Sequence, residues 1–212
     1  MTAPPTAAET ALSARDIHKA FGNHVVLAGI DLSVRSGDIV GIVGENGAGK
    51  STLLRILCGD LRPDKGSVTI GGTLSHCPQH PVLNNALTPF QHLCLFKEAF
   101  RLRNLDHAHE MIDQLAFADH LHVPVKVLSG GTRQKLNLVL ALIHDPDVVL
   151  LDEPYQGFDW QTYLAFWDLA TARRAAGRTT VVISHLAYDI DRLDAVIQLT
   201  RKVAVMTKGA GL

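Results

Sequence analysis

Lys50 and Ser51 close the run Gly44-Glu45-Asn46-Gly47-Ala48-Gly49-Lys50-Ser51, which has the G-x-x-x-x-G-K-[ST] spacing of a polyphosphate-binding loop. Gly44, Gly47 and Gly49 let the backbone wrap a phosphate chain without side-chain clash, so that its amides form a nest of donors. Lys50 can then reach the β/γ-phosphates, and the Ser51 hydroxyl can serve Mg²⁺. A second cluster ends the apolar run Val148-Val149-Leu150-Leu151 with Asp152-Glu153. Two acids at the tip of such a strand lie where open α/β sheets bind their ligands. Asp152 is suited to hold Mg²⁺ against β- and γ-phosphate oxygens. Glu153, one residue on, is free to polarise an attacking water. Taken singly, the first run could be a glycine turn and the second a solvated acidic turn; their co-occurrence argues for one site.

The elements around these residues can position them. Asp38–Val43 reads as a buried strand leading into the loop, and Thr52–Cys58, ended by Gly59, as the helix that follows, whose positive dipole end favours phosphate. Val25–Val34 and Ser67–Ile70 read as strands of a small antiparallel sheet beside the main one. Thr88-Pro89 has the form of an N-cap and first-turn proline, opening a helix with Phe90, Leu93, Phe96 and Phe100 along one face. A further helix is expected over His107–Ala116 with Met111, Ile112 and Leu115 inward. Thr132–Ile143 and Thr162–Ala176 read as helices; Thr179–Ser184, Ala195–Thr200 and Val203–Met206 read as strands. Met1–Ala14 is expected to be a loose tail. Residues 15–212 are expected to form one domain, with a core of 15–75 and 144–212 and a helical subdomain of about 76–143.

Composition limits the partners. Twenty basic against 21 acidic residues give a formal charge of −1, which does not favour nucleic acid. Cys58, Cys77 and Cys94 lack metal-binding spacing and read as reduced thiols of a cytoplasmic protein. The N-terminus lacks a basic segment followed by an apolar one, so it is not a signal peptide, and no apolar stretch is long enough to span a membrane. Histidine pairs such as His107/His109 and His120/His122 read as surface, since residues two apart on a helix face different ways.

Leu128-Ser129-Gly130-Gly131, placed before a helix and upstream of the acidic strand, resembles the signature of ATP-binding cassette transporters. Other matches fall in the family's order: Phe21, ahead of the loop, for the adenine-stacking aromatic; Gln79 for the metal- and water-sensing glutamine; Asp159 for the loop that crosses a dimer interface; His185, closing Val181-Val182-Ile183-Ser184, for the switch histidine. The resemblance covers about residues 15–206. Thr132 stands where the family usually has glutamine, Gln156 where a small residue is commoner, and the stretch from Ile70 to Gln79 is short. No regulatory domain is expected after Leu212.

The resemblance implies an α/β fold with a P-loop NTPase core, a mostly parallel sheet, a small antiparallel β subdomain and a helical subdomain. It implies ATP and Mg²⁺ as ligands, with Phe21, Gly44, Asn46, Gly47, Gly49, Lys50, Ser51 and Thr52 binding the nucleotide. Ser51, Gln79 and Asp152 would hold the metal, and Glu153, His185 and Gln79 would serve hydrolysis. Ser129, Gly130 and Gly131 would meet the γ-phosphate bound by another subunit, in a homodimer or heterodimer closed over two ATP molecules with Asp159 at the interface. The expected function is to power transport, export rather than import. An integral membrane subunit would dock at about residues 80–105 and hold the chain on the inner face of the cell membrane. The alternative is a soluble ATPase of the same superfamily acting as an assembly or scaffold factor. A DNA-maintenance ATPase is disfavoured, because Ser51 and Ser129 are too close for a long heptad-patterned insertion.

Overall fold

The protein is described from a computed structural model covering residues 9–184, 190–200 and 203–208. Two sheets organise the fold. The larger has six strands: β3 (Ile39–Val43), β5 (Leu74–Cys77), β6 (Val148–Asp152), β7 (Thr179–Ser184), β8 (Ala195–Thr200) and β9 (Val203–Lys208), in the order β5-β6-β7-β3-β8-β9. All neighbours are parallel except β8 and β9. The smaller sheet is antiparallel, with β1 (Thr10–Phe21) between β2 (His24–Arg35) and β4 (Lys65–Ile70). The helices are α1 (Lys50–Leu57), α2 (Pro89–Phe100), α3 (Asp106–Gln114), α4 (Gly130–Leu142) and α5 (Trp160–Ala175).

Strand alternation explains the layering. Val149, Leu151 and Val182 point to one face of the large sheet, where they join Met111 of α3, Leu136 of α4 and Trp167 of α5. Val148, Leu150, Val181 and Ile183 point to the other, against Leu53 and Leu57 of α1 and Leu12 and Ile30 of the small sheet. Strands buried on both faces read as largely apolar runs, as Val148–Leu151 and Val181–Ile183 do, with Thr179, Thr180 and Ser184 buried at the ends of β7. Parallel register then brings their C-terminal ends to one edge: Val43 pairs with Ser184, Asp152 with Ile183 and Cys77 with Leu151. The segments leaving that edge carry the phosphate loop, Gln79 and Glu153.

Two expectations are corrected. The tail expected over 1–14 gives way at Thr10, where β1 begins; Ala11, Leu12 and Ala14 are buried between β2 and β4. Alanines and a serine hide a strand from propensity, but pairing on both sides overrides it. The stretch from Ile70 to Gln79, whose shortness put a further strand or hairpin of the small sheet in doubt, leaves that sheet with three strands and supplies β5 to the large one. The expected inner face of α2 holds only in part: Leu93 is buried and Phe96 packs against the core, but Phe90 and Phe100 are exposed and His92 is buried. Phe100 stacks instead on His144, with ring centroids 4.0 Å apart.

The start of α2 behaves as its sequence suggests. Thr88 is the N-cap, Pro89 follows, and Gln91 closes a capping box: Thr88 Oγ1 accepts from the Gln91 amide at 3.2 Å, and Gln91 Oε1 accepts from the Thr88 amide at 2.9 Å. Thr88→Ala should cost about 1 kcal/mol. In a domain of this size that lowers the midpoint of thermal unfolding by roughly 2–4 °C, readable by calorimetry.

Candidate nucleotide site

The phosphate loop runs from β3 into α1. Gly49 caps the helix at φ 100°, in the left-handed region that favours glycine, and no side chain caps it, so the first helical amides are left for a ligand. Gly44 lies against β8: a Cβ there would sit 2.5 Å from the Leu199 carbonyl oxygen. Lys50 leans back over its own loop, with Nζ donating to the Gly44 carbonyl at 2.6 Å and to that of Glu45 at 3.1 Å. The amine is thus held where a phosphate could exchange for these carbonyls. Ser51 is exposed.

One cleft of about 280 Å³ collects the groups expected to act together. Asn46, Gly47, Gly49, Lys50, Ser51 and Thr52 line one side, and Gln79, Asp152 and Glu153 line the other. Val26 of β2 also lines it, a position the sequence did not single out because an isolated valine in a strand carries no chemical signal. Phe21 is not part of this lining. It ends β1 at the hairpin to β2 and is 51% exposed, with the Lys19 amine 5.7 Å from its ring centroid.

The two acids differ in environment. Burial pushes the Asp152 carboxyl up, neighbouring Glu153 adds to this, and Lys50 and His80 oppose it. Glu153 is 8% exposed and has φ 48°, a conformation rare for a non-glycine residue. Its amide donates to the Ile183 carbonyl at 3.0 Å, which holds the turn against β7. A strained backbone at the end of a sheet strand is typical of a positioned functional group. His185 lies outside the described residues.

Ser129, Gly130 and Gly131 are not part of the cleft lining. Ser129 is the N-cap of α4, and its Oγ accepts from the Thr132 amide at 3.1 Å and lies 2.9 Å from Thr132 Oγ1. Thr132, unusual for the resemblance, thus serves the cap. Gly131 abuts the loop leading to Asp159: a Cβ on it would sit 2.6 Å from the Gly157 carbonyl oxygen. Asp159 is exposed and caps α5, accepting from the Thr162 amide at 2.8 Å; that bond holds its carboxyl below the usual range.

Known proteins agree with this architecture. Residues 27–156 match the ABC transporter family. The chain is 35% identical over 197 residues to a Nod factor export ATP-binding protein I of Azorhizobium caulinodans, an alignment covering 86% of this chain and 62% of the relative. It is 32% identical to the protein of the same name from Cupriavidus metallidurans, covering 91% and 70%. It is 31% identical to a daunorubicin resistance ATP-binding protein of Streptomyces coeruleorubidus, covering 95% and 69%. A solved ATP-binding subunit of an ABC transporter superposes with a TM-score of 0.86 at 25% identity, covering 94% of this chain and 90% of that one. The chain therefore belongs to the ABC transporter family, as an ATP-binding cassette.

Proposed function

We propose that the chain binds and hydrolyses ATP in this cleft, and that two cassettes close head to tail over two ATP molecules to drive export through a separate membrane subunit. The observation that carries the reading is the single cleft shared by Lys50, Ser51, Gln79, Asp152 and Glu153. The loop amides and Lys50 bind the phosphates, and Asn46 and Thr52 lie along the same wall. Phe21 stacks on adenine from the hairpin tip. Ser51, Gln79 and Asp152 offer oxygen donors of the kind Mg²⁺ takes, and the bound ion would neutralise phosphate charge. Glu153 orients a water and takes its proton, and His185 keeps the water and γ-phosphate in line.

The signature lies outside its own cleft, so Ser129, Gly130 and Gly131 can act only on a nucleotide held by another cassette. The contact of Gly131 with Gly157 ties that signature to the loop ending at Asp159. Both would therefore meet the partner cassette, identical or different, as one surface.

No helix among the described residues is long and apolar enough to cross a membrane. In this reading a membrane subunit supplies the pore and would hold the chain at the cytoplasmic face. The relatives' names, export of Nod factor and resistance to daunorubicin, support export over a soluble assembly role. The docking face we assign is an apolar groove of about 440 Å³ between α3 and the C-terminal ends of α4 and α5, lined by Leu102, Met111, Leu142 and Ala172. Beside it stands Phe100, 44% exposed and stacked on the groove residue His144. Of the segment 80–105 expected to dock, Leu102 lines this groove; its other walls come from α3, α4, α5 and the residues that follow α4 and α5. Gln91 is a poor probe of it, since its side chain is committed to the capping box. Phe100→Glu should abolish co-purification of an integral membrane protein from detergent extracts and leave ATP hydrolysis intact. Recovery of the wild-type chain solely with a cytosolic complex would sink the transporter reading.

A further inference from the structure

The loop that carries Gln79 is held at both ends by buried polar side chains that the cleft does not use. Asn137, 7% exposed in the apolar run of α4, donates its Nδ2 to the Pro78 carbonyl at 2.8 Å and to Cys77 Sγ at 3.2 Å. Pro78 immediately precedes Gln79. His92, 5% exposed on α2, bonds the other end: the Asn84 amide donates to its Nε2 at 3.1 Å, and its Nδ1 lies 2.9 Å from the Thr88 carbonyl oxygen. An amide can only donate and a carbonyl can only accept. The imidazole must therefore be neutral, with its hydrogen on Nδ1.

Between these clamps the loop is joined to the segment before the signature. The Lys126 amide donates to the Asn85 carbonyl at 3.1 Å and the Val125 amide to that of Leu87 at 2.9 Å. Arg133 of α4 returns the connection, with Nε donating to the Val125 carbonyl at 3.1 Å and Nη2 to that of Lys126 at 2.9 Å. A bonded path thus runs from the loop to α4 at two places. Leucine would fill either buried site without needing partners. Each polar side chain instead directs its bonds at the backbone on either side of Gln79.

We propose that His92 and Asn137 are positioning residues for ATP hydrolysis: Asn137 locks the start of the Gln79 loop to α4 and His92 fixes its far end to α2, so that Gln79 and the Ser129–Gly131 signature take up their places together. This rests on the ATPase reading above. Loosening either clamp leaves the phosphate loop untouched, so nucleotide affinity holds while the geometry at the γ-phosphate degrades.

The test measures kcat, KM for Mg-ATP and thermal midpoint for Asn137→Leu, His92→Leu and His92→Gln in the full chain. Asn137→Leu is nearly isosteric and suits its apolar neighbours, so a merely structural residue would keep its turnover. The expected result is a fall of about tenfold or more in kcat for both leucine variants, with KM within about twofold, the signature of misplacement and not of lost binding. His92→Gln, which again presents one donor and one acceptor on a planar head, should recover much of the loss. The proposal is overturned if Asn137→Leu turns over like wild type, if His92→Gln is no better than His92→Leu, or if KM rises in step with the fall in kcat. A wild-type chain that hydrolyses no ATP, alone or with its membrane subunit, overturns the underlying reading and this proposal with it. Normal wild-type hydrolysis with unaffected variants removes only the clamps.

Discussion

Glu153→Gln should bind Mg-ATP with near-normal affinity and hydrolyse it about 10²–10⁴-fold more slowly, the range a positioned general base contributes. Gln keeps the shape of Glu and can still hydrogen-bond, so the turn at φ 48° and the amide bond to Ile183 should survive. It cannot accept the proton of the attacking water. The phosphate loop and Asp152 are unchanged, so the nucleotide still enters. With hydrolysis removed, ATP should hold two cassettes closed, and light scattering after size exclusion should read a dimer with ATP and a monomer with ADP. Turnover at the wild-type rate would remove Glu153 from the role of base.

Lys50→Ala should weaken ATP binding by roughly 1.5–3 kcal/mol, the value of a hydrogen bond to a charged group, or about 10- to 150-fold in Kd. The loop amides remain, so binding weakens without vanishing. Phe21→Ala gives the contrast. The ring sits outside the cleft lining and is 51% exposed, so its loss should cost only the stacking of one base, roughly 1–2 kcal/mol. Titration with a fluorescent ATP analogue and with a nucleotide lacking adenine separates the two: Lys50→Ala weakens both ligands, whereas Phe21→Ala weakens only the adenine-bearing one. Unchanged affinity in both variants refutes the site.

The local chemistry of this protein was legible in its sequence because each element needs only its own residues. A glycine loop between an apolar strand and a helix has one reading, and Thr88-Pro89 caps a helix in the sequence as in the fold. The apolar runs Val148–Leu151 and Val181–Ile183 announced burial on both faces, and from that a parallel sheet. Where local signals were weak, tertiary structure decided. Thr10–Ala14 became a strand because β2 and β4 flank it, not because alanine and serine favour strands. Helical spacing put Phe90, Leu93, Phe96 and Phe100 on one face of α2; Leu93 and Phe96 do meet the core, yet His92 is buried as well, Phe90 is exposed, and Phe100 turns to His144 in a groove formed by three other helices. The sequence could propose that Gln79, Asp152 and Ser51 act together, but only the parallel register of β5, β6 and β3 brings segments so distant along the chain to one edge. The bond of Asn137 to Pro78 and the close approach of Gly131 to the Gly157 loop were invisible beforehand for the same reason: a contact between distant residues leaves no periodicity in either segment.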